Sequence, residues 1–218
     1  MHTIHVINKL DSTHKGPEAL HTKSGEWQQV FLNQGSLDGA CGPYCVYMSL
    51  LINGIITRTE ALSALSNGQR GNTNIGKLAS KIKGPKFFQG TFGTDIKALF
   101  KDVYKKEVDV DSFLGDGVEI RDFVVEQIKE DNPVMLGIKW PEGAHWVTVV
   151  GLDYAGENDN KDLWRFLVID PGGNDMQFCS WNGVIDAKGS GGSYPYGWWG
   201  QDQKVKLDEA VVIKAKRM

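Results

Sequence analysis

Five residues in this chain have types and spacings that could do chemistry: Gln34, Cys41, Cys45, His145 and Asp170. The stretch "DGACGPYCVYMSLLING", residues 38 to 54, puts two of the three cysteines four residues apart beside Gly-Pro, at the start of an apolar run. A thiol there can be a buried packing residue, half of a metal or redox pair, or a nucleophile. Gly39, Ala40 and Gly42 are small and leave room for a substrate backbone, and Pro43 suits the first turn of a helix. A thiol at a helix N-terminus faces the positive end of the dipole and free N–H groups, which stabilise the thiolate and lower its pKa. That describes Cys41. Cys45 lies one turn further along, inside the helix body, and reads as packing. Residues i and i+4 of a helix, about 6 Å apart at Cα with poorly directed Cβ vectors, make a poor disulfide. Nor is the spacing that of a CxxC pair. Zinc would need more ligands than His145 and Cys179 could add.

A cysteine nucleophile needs a base within hydrogen-bond reach and an acceptor that orients the base. Beyond residue 21 the chain has one histidine, His145, in "EGAHWVTVVGLD". On its own it reads equally as a hydrogen-bonded core residue. Asp170, in "FLVIDPGG", ends a strand expected to pair with that of His145; on its own it is a turn-former before Pro-Gly-Gly. For an oxyanion, the N–H of Cys41 can donate once, and Gln34, seven residues upstream, can supply its side-chain amide, with Asn33 as the alternative.

The elements that must position these residues follow from periodicity. From about 41 to 131 the pattern is helical: "CGPYCVYMSLLI", then "TRTEALSAL" with Thr57 and Glu60 at capping-box spacing, "NTNIGKLASKIKG" ended by Gly84, "GTDIKALFKDVY" with Thr94 as N-cap, and "GVEIRDFVVEQIKEDN" up to Pro133. From about 133 to 216 it is strand-like: "VMLGIKW", "HWVTVVGLDYA", "LWRFLVIDP" and "EAVVIKA", the second and third joined as a hairpin through "GENDNKD". "AKGSGGSYPYGWWGQ" reads as a Gly-rich loop that packs on its own rings or lines a groove. Helices first and an antiparallel sheet after predict an α+β fold with segregated halves and a cleft between them.

Composition narrows the function classes. The 218 residues, 41% apolar and 23% charged with a net charge of −3, are ordinary for a globular chain and offer no basic footprint for nucleic acid. No apolar run approaches the roughly 18 residues of a membrane span. The N-terminal sequence lacks a secretory signal, and three cysteines suit a reducing compartment. The expectation is a protein cytoplasmic as made, with export by a machine that needs no cleavable signal still open. Residues 1–26, with His2, His5, His14 and His21 among polar residues, read as a loosely ordered arm whose histidines follow no metal-binding pattern.

Gln34, "GACGPYC" opening a helix, "GAHWVTVVGLDY", and a strand ending "VIDPGG" together resemble the papain-like superfamily of cysteine peptidases. Within it the pattern is most similar to the bacterial double-glycine leader peptidases and their stand-alone relatives. The resemblance covers about residues 30–175. It implies a papain-like α+β domain over 27–218, its helical half carrying the nucleophile and its sheet half the His and Asp. It further implies Cys41 as nucleophile, His145 as base, Asp170 as orienter and Gln34 as oxyanion donor, with no cofactor and no metal. Gly39, Ala40, Trp146, Trp198 and Trp199 are expected to contact substrate. The Gln-to-Cys gap is one residue longer than is usual in papain, the orienter is Asp rather than Asn, and no transporter segments accompany the domain. The implied activity is hydrolysis of a peptide or isopeptide bond in a protein or peptide substrate. A bacterial effector or toxin would fit, with an inhibitor or immunity protein as partner; no oligomeric state follows. A transferase or glutamine deamidase would use the same residues, and a non-catalytic binding module would use the loop at Tyr194–Trp199. The "DCSG" form found in cell-wall endopeptidases is absent.

Overall fold

Helix α1 (Cys41–Ile52) is buried along its whole length except at Tyr44. A helix apolar on all sides needs partners on all sides, and the rest of the chain supplies them. The structure is a computed structural model describing residues 1–35, 39–66, 68, 71–82, 91–157 and 160–216. Pro43 sits in the first turn of α1, where a missing N–H costs nothing. Gly39, two residues ahead of the helix, has φ +75°, a conformation glycine adopts without strain.

Among the described residues four more helices follow. In α2 (Arg58–Leu65) the Thr57 hydroxyl accepts from the Glu60 N–H, and the Glu60 carboxylate accepts from the Thr57 N–H at 2.8 Å, the expected capping box. Helix α3 (Asn74–Ile82) buries Ile75, Leu78, Ala79 and Ile82; Gly84, expected to end it, lies outside the described residues. Helix α4 (Gly93–Leu99) is capped at Phe92, not at Thr94. Carboxylates meet the donors at this helix start: Glu209 Oε2 accepts from the Gly93 N–H at 2.6 Å, and Asp95 accepts from the Phe92 N–H. Helix α5 (Gly117–Lys129) has a capping box from Asp116 and Glu119 and ends short of Pro133.

The main sheet is antiparallel and nearly a barrel. Strands β6 (Val134–Trp140), β7 (Gly143–Glu157), β8 (Asn160–Ile169), β9 (Gly183–Asp186), β10 (Tyr196–Trp198) and β11 (Gln203–Ala215) form a ring in the order β7-β6-β11-β10-β9-β8, and β8 returns to pair with β7. Two outer strands join it: β1 (His2–Val6) on β7 and β5 (Val108–Leu114) on β11. Strands β2 (Asp11–Thr13), β3 (Gly16–Leu20) and β4 (Trp27–Gln29) make a separate small sheet. Helix α1 packs against β7, β6 and β3, so its N-terminus faces the end of β7 that carries His145.

Three expectations change. The chain is not divided into a helical half and a sheet half, because β1 and β5 enter the main sheet from outside the 133–216 region. "VDVDSFL" starts with alternating apolar and polar residues, as a half-buried strand does. The polar first 26 residues are not a loosely ordered arm. They form β1, β2 and β3, held by backbone hydrogen bonds and by a few buried residues such as Ile7 and Ala19, which is enough for strands covered on one face. The Gly-rich stretch at 187–201 contains strand β10 rather than loop alone, with Tyr196 and Trp198 buried. No helix among the described residues is long and apolar enough to cross a membrane.

Candidate active site

The N-terminus of α1 has no side-chain cap and no acidic residue in its first turn, so its N–H groups are available to an anion. Cys41 stands there, 8% exposed. Burial alone would push its thiol up, but a hydrogen bond from His145, the charge on that ring, and the N–H groups of Trp146 and Gly42 outweigh it and hold the thiol below its ordinary value. Cys45 meets the opposite conditions. It is fully buried, donates to the Trp146 carbonyl at 3.4 Å, and burial pushes its pKa well up. The two thiols, one turn apart, are shifted in opposite directions.

His145 sits near the start of β7, opposite Ile138 of β6. Thr148 of β7 pairs with Ile169 of β8, so the residue just past β8, Asp170, lies beside the His145 end of its neighbour. The two side chains meet at 2.8 Å between His145 Nε2 and Asp170 Oδ1. That leaves Nδ1 as the nitrogen facing Cys41. Burial would lower the imidazole pKa, but the hydrogen bonds to Asp170 and Cys41 and their charges raise it to about 9. The Trp198 ring stacks on the imidazole, 5.2 Å between centroids and 20° between planes. Asp170 is buried, and its Oδ1 also accepts from the Gly172 N–H at 2.8 Å. Asn182 brackets the Asp170 backbone, its Oδ1 accepting from the Asp170 N–H at 2.6 Å and its Nδ2 donating to the Asp170 carbonyl at 2.9 Å.

A cavity of about 360 Å3 opens over His145 and Asp170, lined also by Gln34, Gly35, Trp140, Gly172, Trp198, Gln201 and Gln203. The Gln34 backbone N–H donates to the Pro171 carbonyl at 2.9 Å, which ties the glutamine to the turn after Asp170. A Cβ on Gly172 would lie 3.7 Å from both Gln34 Nε2 and His145 Cε1, so the amide and the imidazole converge on that glycine. Gln34 Oε1 is buried without a partner. Asn33 faces elsewhere, its amide donating to the Gly173 carbonyl.

The residues expected to contact substrate divide. Trp198 lines the cavity, and Gly39 is half-buried beside the buried Ala40 at the helix start. Trp146 does not face the cavity. Alternation along β7 turns it to the side opposite His145, where it is buried, and its Nε1 donates to the Thr91 carbonyl at 2.9 Å. Trp199, 57% exposed, lines a neighbouring cavity of about 400 Å3, donates to Asp186 at 2.8 Å and lies under the Arg165 guanidinium. For Trp146 a stability effect is expected: Trp146→Ala lowers the unfolding free energy by about 3–5 kcal/mol, measured as a fall in the denaturant midpoint.

No family model and no curated protein matches the sequence. One solved structure similar to the chain is that of UfSP from C. elegans. The two share 17% identity over 99% of this chain, with a TM-score of 0.43. The chain spans 34% of that protein's length.

Sequence reasoning missed Trp140, Gln201, Gln203 and Asn182. Trp140 ends a legible strand, "VMLGIKW", and its position opposite Gly143 across the turn was available from pairing β6 with β7. The two glutamines and Asn182 carry no local signal; they reach the site because β9, β10 and β11 close the ring.

Proposed function

We propose that this chain is a papain-like cysteine hydrolase that cleaves a peptide or isopeptide bond in a protein substrate. One observation carries the reading: His145 is hydrogen-bonded to Asp170 at 2.8 Å beside Cys41 at an uncapped helix N-terminus, with the thiol lowered and the imidazole raised. Both shifts favour a thiolate beside an imidazolium, a nucleophile deprotonated and an acid charged before substrate arrives.

The Cys41 thiolate attacks the carbonyl carbon, and the carbonyl π electrons move onto oxygen. The Cys41 N–H and the Gln34 amide donate to that oxyanion. The oxyanion collapses, the C–N bond breaks, and the leaving nitrogen takes the proton from His145. Water then attacks the thioester while neutral His145 accepts one of its protons; the C–S bond breaks to release the acid, and the thiolate–imidazolium pair is restored. Asp170 holds the ring in one tautomer and stabilises its charge throughout. Trp198 covers the other face of the ring and limits water there.

The test is covalent labelling with a peptidyl chloromethyl ketone, read by mass spectrometry. One adduct on Cys41 is expected, absent from Cys41→Ala and strongly slowed in His145→Ala. Equal labelling of the Cys41→Ala chain would falsify the reading. Labelling should also show the sign of the two shifts. The lowered thiol should keep Cys41 reactive at lower pH than an ordinary cysteine. Turnover should fall as pH rises through about 9, where His145 loses the proton its leaving group needs.

A further inference from the structure

Asp170 is the first residue past the end of β8, where the ladder to β9 stops at Val168 opposite Gly183. A carboxylate that must hold a ring to within a few tenths of an ångström therefore sits on a chain that has just left its sheet. What replaces the sheet is one turn hydrogen bond, from the Gly173 N–H to the Asp170 carbonyl at 3.0 Å, and one side chain. The Asn182 N–H still reaches the Val168 carbonyl at 3.1 Å, and its side-chain amide then takes over both backbone groups of Asp170. The same Nδ2 gives its second hydrogen to the Asn174 carbonyl at 3.1 Å. A Cβ on Gly173 would fall 2.7 Å from that nitrogen, so the amide packs closely against the turn. Both donors and the oxygen of Asn182 are thus used, and they bond as the peptide group of a continuing strand would.

We propose that Asn182 is a positioning residue for the reaction above, acting through Asp170. By fixing the Asp170 backbone it leaves the side chain only the direction that meets His145 Nε2 at 2.8 Å, and the Gly172 N–H completes the aim. Loss of the amide frees the turn, lengthens the carboxylate–imidazole contact, and weakens the imidazolium that keeps the Cys41 thiol ionised. The proposal rests on Cys41 being the nucleophile.

The experiment is the rate of alkylation of each cysteine by iodoacetamide from pH 5 to 9.5, resolved by peptide mass spectrometry, in the parent chain and in Asn182→Ala. Cys179, half-buried, serves as internal reference. In the parent, Cys41 should outpace Cys179 at pH 6. In Asn182→Ala the pH at which Cys41 becomes reactive should rise by about one unit, slowing it about 10-fold at pH 6, with Cys179 unchanged. Loss of packing alone would not move that pH. If parent Cys41 is no faster than Cys179 at pH 6, the nucleophile reading falls and this inference with it. If parent Cys41 is fast and Asn182→Ala is equally fast, only the positioning role is overturned. Should Asn182→Ala fail to fold by circular dichroism, Asn182→Asp decides. It keeps the acceptor for the Asp170 N–H but loses both donors, and its added charge would by itself favour the imidazolium. A slower Cys41 then supports positioning, and an equal or faster one overturns it.

Discussion

Cys41→Ala is expected to lower hydrolysis of a susceptible peptide by about 10^4- to 10^6-fold, the range seen when a nucleophile acting as part of a unit is removed. The fold should survive, because Cys41 contributes little packing that Ala does not: it is followed by the buried helix body and preceded by the buried Ala40. Cys45→Ala should do the reverse. Its sulfur is wholly enclosed and donates to the Trp146 carbonyl, so its loss costs about 1–3 kcal/mol of stability, with labelling of Cys41 retained. The pair of variants is informative because the two thiols are one turn apart on the same helix and chemically equal in the unfolded chain. Peptide cleavage by mass spectrometry and a urea melt measure the two effects. A Cys41→Ala chain that still cleaves at the parent rate would end the catalytic reading.

Asp170→Ala is expected to reduce turnover by about 10^3- to 10^4-fold, through the loss of the partner that fixes the His145 tautomer and stabilises the imidazolium. Its direct mark should be on pH dependence. Asp170 raises the imidazole pKa both by hydrogen bond and by charge, against the burial that lowers it. Without it the pKa should drop from about 9 towards or below the ordinary histidine value, moving the alkaline limb of kcat/KM to lower pH. The Cys41 thiol, deprived of a charged partner, should rise at the same time. The two limbs therefore close on each other, and a profile that keeps its parent width would contradict the role given to Asp170.

Much of the helical part was legible because helix signals are local. The Thr57–Glu60 capping box, the Pro43 first turn and the stop before Pro133 each involve residues within one turn, and the structure has α1, α2 and α5 where those signals stand. Strands β6, β7, β8 and the end of β11 were legible as apolar runs of buried β-branched residues. Strands β1 to β4, β9 and β10 were not. They are short, polar or Gly-flanked, and what makes them strands is the edge they pair with. Thr94 shows the same limit from the helix side: a hydroxyl with good local credentials is bypassed because Glu209, 115 residues further along, reaches the first N–H of α4.

The tryptophans separate the two kinds of information most clearly. Trp146 adjoins His145 in sequence and lies on the other face of its strand, whereas Trp198 is 53 residues away and stacks on the ring. The sequence by itself determined which groups could react: a cysteine at a helix start, a histidine with no rival beyond residue 21, an aspartate ending a strand, and a glutamine upstream. It could do so because acid–base character and helix-terminal placement belong to the residue and its near neighbours. The tertiary structure alone decided that His145 and Asp170 meet in a hydrogen bond, that the Asn182 side chain bonds the Asp170 backbone where the ladder ends, and which aromatic rings wall the cavity. Those facts depend on strand register and on closure of the ring by β8 on β7, and register is set by long-range pairing that no short window of sequence contains.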